Sequence, residues 1–225
     1  MKIIFEDETL IVCQKEAGLA VENANIGQKD LVSEIKNYLK SSYVGVVHRL
    51  DMPVEGLLVF AKNQKAAANI SKQLTDNTLN KNYLALVCGQ PSSLEATLVD
   101  YLTASKIVGK GNSKIAVVSN PANKESKKAI LHYKVVSSKK NVSLLDVSIE
   151  TGRFHQIRAQ LSNAGLPIVS DKKYGNAISD ALGKELGLRN VALFANRISF
   201  AHPVTGKQLS FEYIPDYSII KEMMK

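Results

Sequence analysis

The chain has 225 residues, 45% hydrophobic and 22% charged, with a formal net charge of +8. That balance suits a globular protein that buries one core as a single domain over residues 1–225, and no apolar run is long enough to cross a bilayer, which argues against a membrane partner. The charge is concentrated: residues 101–140 hold nine lysines against one acid, Glu125, a footprint for a polyanion whose bland alternative is a solvated lysine-rich hairpin.

From the N-terminus, "IIFEDETLIVCQKEAGLAVE" predicts a strand, an acidic turn, a second strand and a turn at Ala17-Gly18. The acids Glu6, Asp7 and Glu8 interrupt what a secretory segment would need to keep apolar, so a cytoplasmic location is expected. "QKDLVSEIKNYLK" spaces Leu31, Val32, Ile35 and Leu39 as one face of a short helix. "NQKAAANISKQLTDN" is a second helix, with Asn63 as its N-cap and Ala67, Ile70 and Leu74 turned inward. Residues 81–88 form a strand ended by Gly89-Gln90-Pro91. Cys13 and Cys88 each lie in an apolar run, far from any zinc-type spacing, and read as buried free thiols.

From Glu95 to about Asp146 the chain is rich in strand-like pieces separated by Gly, Ser, Asn and Pro, which places the lysines on hairpins. "TGRFHQIRAQLSNAG" predicts a helix with Phe154, Ile157 and Leu161 as its apolar stripe and His155, Arg158 and Ser162 on the adjacent face, capped by Gly165. Residues 177–190 are helical or looped, and two closing strands flank the turn Pro203-Val204-Thr205-Gly206. Strands outnumber helices and hairpins dominate, which implies an α+β fold with a mixed, mainly antiparallel sheet and flanking helices.

One stretch departs from economical turn chemistry. "VVHRLDMPVEGLLVFAK" puts His48, Arg49 and Asp51 between two runs that read as buried strands. Charged loops held by rigid strands are where binding and catalytic groups concentrate. An isolated loop aspartate is more often a structural cap, and on periodicity alone Arg158 reads as a surface arginine paired with Glu150 or Asp171.

"HRLD", "GLLVFAK", "KNYLALV", "TGRFHQIRAQL", "PIVSDKKYG" and "FAHPVTG" appear in the order seen in RluA-type pseudouridine synthases, which the chain resembles over nearly its whole length. The resemblance implies isomerisation of uridine in structured ribosomal or transfer RNA, on a pseudouridine synthase catalytic fold, with no metal and no organic cofactor. It implies Asp51 as the catalytic carboxylate, Arg158 as its counter-charge and Tyr83 as the phenol that stacks on the target base. On that reading His48, Arg49, Arg153, His155 and Gln156 contact RNA, with Lys172, Lys124, Lys127 and Lys128 holding its backbone.

Two departures touch substrate contact: "KEAG" stands where the family has "KPxG", and Val54-Glu55 replaces a Thr-Ser pair ahead of Gly56. There is no room before the first strand for the S4 domain that many relatives carry, so RNA affinity is expected from the catalytic domain, acting as a monomer. The rival class is a catalytically inactive RNA-binding protein on the same fold; intact Asp51, Tyr83 and Arg158 argue against it. Hydrolysis with Asp51 and a histidine lacks a nucleophile motif or metal ligands.

Overall fold

The computed structural model describes residues 1–22, 28–106, 114–119 and 124–225. In chain order the first elements are β1 (Lys2–Glu6), β2 (Leu10–Lys15), α1 (Leu31–Leu39), β3 (Gly45–Val46), β4 (Glu55–Ala61) and α2 (Gln64–Thr75). They are followed by β5 (Asn80–Cys88), β6 (Glu95–Lys106), β7 (Lys114–Val118), β8 (Lys127–Lys139), β9 (Val142–Ile149) and α3 (Gln156–Asn163). The chain closes with α4 (Ala177–Glu185), β10 (Leu193–Ala201), β11 (Gln208–Glu212) and α5 (Ser218–Met223). Among the described residues, no helix is long and apolar enough to cross a membrane.

These elements form two compact units, Met1–Asn82 with Phe194–Pro215, and Tyr83–Leu193 with Asp216–Lys225. In the first, the strands run in the order β1-β2-β4-β10, with β11 also on β10 and β3 on β4. The antiparallel register between β2 and β4 runs unbroken from Leu10↔Ala61 to Lys15↔Gly56, whereas β10 meets β4 in parallel at Phe194↔Glu55 and Ala195↔Gly56. Leu10, Val12, Leu57, Val59, Ile70 and Phe200 make the core of this unit. Fully burying a side chain such as Phe200 contributes about 1.5–3 kcal/mol.

Gly56 occupies the parallel contact at φ +148°, where a Cβ would come within 2.6 Å of the Ala195 backbone, so only glycine lets β10 approach. Helix α2 is capped as the sequence predicts, Asn63 Oδ1 accepting the Ala66 N–H at 2.9 Å. In α1 the same service comes from Asp30, which accepts the Ser33 N–H at 2.7 Å.

The second unit runs in the order β5-β9-β8-β6-β7, with the pairs β9-β8, β8-β6 and β6-β7 antiparallel. The long hairpin strands β6 and β8 pair from Glu95↔Lys134 to Leu102↔Lys127, and β7 pairs with β6 from Leu102↔Val118 to Lys106↔Lys114. Both cysteines are buried free thiols. Helix α3 is shorter than its spacing suggests. It starts at Gln156, not at Thr151, because His155 adopts a left-handed conformation at φ 51°. Phe154, assigned above to the apolar stripe, is consequently 45% exposed and stacks on the His155 ring at 3.8 Å.

Candidate active site

In the first unit, the loop between β3 and β4 carries His48, Arg49 and Asp51. Leu50 turns inward and is buried, while Asp51 is half-buried and Arg49 exposed. A turn closes the loop, the Val54 N–H donating to the Asp51 carbonyl at 3.0 Å. Arg49 pairs with Glu22 at 3.0 Å on the surface, where an ion pair contributes little. The Nε2 of His48 accepts the Val59 N–H at 3.1 Å, which fastens the loop to the middle of β4.

With Nε2 an acceptor, Nδ1 carries the proton, and it is buried without a hydrogen-bond partner in the protein. Burial, reinforced by the charge of Lys81, pushes the His48 imidazole down to about 3. His48 is therefore a neutral anchor of the loop at physiological pH, which does not suit it to attract phosphate by charge.

Sequence reasoning passed over Lys15, the lysine of "KEAG". It is 0% exposed, and its Nζ donates to the carbonyls of Glu16 at 3.0 Å, Leu19 at 2.8 Å and Met52 at 3.0 Å. The Met52 carbonyl also accepts the Gly18 N–H at 2.8 Å. One buried ammonium thus ties the end of β2 to the residue after Asp51. Burial lowers the Lys15 amine to about 8, against the opposing pull of the Asp51 and Glu55 carboxylates.

In the second unit, Gln156 is 3% exposed, and its side chain braces the turn before α3. Its Oε1 accepts from the Thr151 hydroxyl at 2.8 Å and the Arg153 N–H at 3.0 Å, and its Nε2 donates to the Ile130 carbonyl at 3.0 Å. Those bonds give Gln156 a structural part in the turn. Arg153 is exposed, with its Nε on the Lys128 carbonyl at 3.0 Å.

Arg158 is buried rather than on the surface, and it forms a two-pronged pair with Asp171, Nε to Oδ2 and Nη2 to Oδ1, both at 2.7 Å. Asp171 also accepts the N–H groups of Lys173 at 2.9 Å and Tyr174 at 3.1 Å. Burial, the largest influence, pushes its carboxyl upward, but the Arg158 bonds and charge with the two N–H donors together hold it below its ordinary value. The Tyr174 ring lies against the Arg158 guanidinium, 5.1 Å from centroid to Cζ. The hydroxyl of Tyr174 is 2.8 Å from His155 Nδ1. Arg158, Asp171, Tyr174 and His155 are therefore one connected group.

Tyr83 is 6% exposed on β5. Lys124, Lys127 and Lys128 are all exposed, the latter two at the start of β8. Lys110 of the basic stretch lies outside the described residues. Lys172 is exposed and paired with Asp180 at 2.8 Å.

The sequence profile of the RNA pseudouridylate synthases matches residues 9–163. The chain is 35% identical over 224 residues to ribosomal large subunit pseudouridine synthase D of Zymomonas mobilis, covering 94% of this chain and 68% of that protein. It is 33% identical to ribosomal large subunit pseudouridine synthase C of Haemophilus influenzae, covering 97% and 66%. The chain thus spans about two thirds of the length of these relatives. The fold is that of human RNA pseudouridylate synthase domain containing 4, with a TM-score of 0.78 at 22% identity over 99% of this chain and 92% of that one.

Proposed function

The chain belongs to the RNA pseudouridylate synthase family, and from that premise we propose that it isomerises uridine to pseudouridine in structured RNA with Asp51 as the catalytic carboxylate. The observation that carries the assignment is the Asp51 loop itself. It holds a half-buried carboxylate between a buried lysine that grips the next carbonyl and a neutral histidine anchored on β4. A loop whose aspartate served only as a turn cap would not need a buried ammonium beneath it.

The reaction breaks the N1–C1′ bond, turns the uracil, joins C5 to C1′, removes the C5 proton and returns a proton to N1. Asp51 attacks the sugar carbon or takes a sugar proton, and then leaves again. Tyr83 offers a flat face to the base and a phenol to assist removal of the C5 proton. Arg158, braced by Asp171, supplies a fixed positive charge for the carboxylate chemistry. The target nucleotide must first leave its stack, and Arg49 fills the gap or holds a neighbouring phosphate. Arg153, His155 and the exposed lysines meet the RNA backbone.

The names of the relatives make large-subunit ribosomal RNA the first substrate to test, with transfer RNA second. On this reading the protein works in the cytoplasm as a monomer. The decisive variant is Asp51→Asn, nearly isosteric and unable to act as nucleophile or base. With RNA tritiated at uridine C5, it should release no tritium in a single turnover while keeping its melting temperature and its RNA affinity within a few fold. Substantial release by this variant would remove Asp51 from its role.

A further inference from the structure

Strand β7 is the last of its series and pairs only with β6 among the described strands. Alternate residues of such an edge strand turn their N–H and C=O groups away from the sheet. Two of those outward groups are taken by one short turn. The Ala116 N–H donates to the Tyr174 hydroxyl at 2.6 Å, and Lys173 Nζ donates to the Lys114 carbonyl at 3.1 Å. Residues 114 and 116 share a parity, so the turn after Asp171 clamps one edge.

Tyr174 is also fixed from its other side. Its N–H donates to Asp171 Oδ1 at 3.1 Å, its carbonyl accepts the Ser162 hydroxyl at 2.7 Å, and its ring lies on Arg158. The turn is tight by composition: a Cβ at Gly175 would collide with the Ser179 hydroxyl and the Asp171 carbonyl. The hydroxyl accepts from Ala116 and also meets His155 Nδ1, and the two contacts hold the ring in one orientation over the guanidinium.

The clamped strand lies on the basic side of this unit. Exposed Lys114 and Lys106 face each other across β7 and β6, and exposed Lys127 pairs with Leu102 on β6. We propose that Tyr174 is a positioning residue: its ring aims Arg158, and its hydroxyl couples that aim to the seating of the basic edge strand on RNA. The inference rests on the reading that Arg158 serves an RNA isomerase. It adds a residue that never touches the reacting atoms.

Two variants separate ring from hydroxyl. Tyr174→Phe keeps the ring and loses the two hydroxyl bonds, so RNA Kd should rise by about 3- to 10-fold, amide exchange across 114–118 should quicken, and the single-turnover rate at saturating RNA should fall by less than about threefold. Tyr174→Leu removes the ring as well, and its rate at saturating RNA should fall by roughly tenfold or more. A merely structural tyrosine would lower melting temperature and active fraction in both variants, with no split between rate and Kd. That result overturns the proposal, as does a Leu variant with the wild-type rate or a Phe variant with unchanged Kd and exchange. Failure of the underlying reading looks different: wild type itself would release no tritium, while the effects of the Phe variant on Kd and exchange would remain.

Discussion

Replacing Asp171 with Asn tests how strongly the second unit depends on one buried ion pair. The substitution keeps shape and an acceptor for the N–H groups of Lys173 and Tyr174, but it turns an amide toward Arg158 and leaves that guanidinium, 3% exposed, without its two-pronged carboxylate. Breaking one side of a buried pair costs about 3–5 kcal/mol, because the remaining charge loses the bonded partner that offset its burial. For a chain of this size each kcal/mol shifts the melting temperature by roughly 2–4 °C, so a fall of roughly 6 to 20 °C is expected. Circular dichroism on heating, with urea unfolding as a second measure, reads it directly. The double variant Arg158→Met/Asp171→Asn removes both charges and should recover most of that stability, yet remain inactive because the fixed positive charge is gone. A melting temperature within 2 °C of wild type for Asp171→Asn, less than about one kcal/mol by the same conversion, would refute the reasoning. So would a double variant that is no more stable than the single.

Acid should weaken the fold through two groups. The folded-state pKa of His48 is depressed from 6.5 to about 3, so the unfolded chain binds its proton first and stability falls as pH drops below 6.5 towards 3. A His48→Gln variant, followed by urea unfolding at several pH values, should show a shallower decline over that window. Asp171 is also depressed, from 3.8, so its stabilisation is present above that value and is lost as pH falls through the lower folded pKa; the Asn variant should lack this component. Replacing Lys124, Lys127 and Lys128 together with Gln should weaken binding to target and non-target RNA alike and reduce the slope of log Kd against log salt by about 2–3, as the loss of three phosphate contacts requires. Wild-type affinity across a salt titration would make those side chains merely solvated.

The strands were legible because runs such as "LIVCQK" and "LLVFA" are buried on both faces, and uninterrupted apolar stretches of that length suit little else. Local chemistry likewise placed the cap at Asn63. The misplaced start of α3 has a local cause too. Phe154 falls at helical spacing from Ile157 and Leu161, yet the left-handed His155 breaks the run, and such a conformation is uncommon outside glycine even for histidine, one of the residues that adopts it most readily. In the site, Asp51 and Arg158 stood out through ordered motifs. The contribution of Lys15 did not, since nothing local says that three carbonyls converge on its ammonium. Asp171 was recognisable as a possible partner of Arg158, but burial converts that surface pair into a structural keystone, and burial is a property of the assembled chain.

The first unit is discontinuous: its core draws Leu10, Val12, Leu57 and Val59 from one end of the chain and Ile198 and Phe200 from the other. During synthesis β4 (Glu55–Ala61) must wait for β10 (Leu193–Ala201), its parallel partner at Gly56. At translation rates of about 5–20 residues per second, that delay is roughly 7 to 27 s. Over this interval the nascent protein has a half-built apolar sheet while the intervening unit is still emerging from the ribosome. The second unit, by contrast, lies mostly in the one stretch Tyr83–Leu193 and can complete most of its hairpins in the order in which they are made. Vectorial folding should therefore begin in the middle of the chain, and the half-built sheet is where a nascent-chain chaperone would be needed.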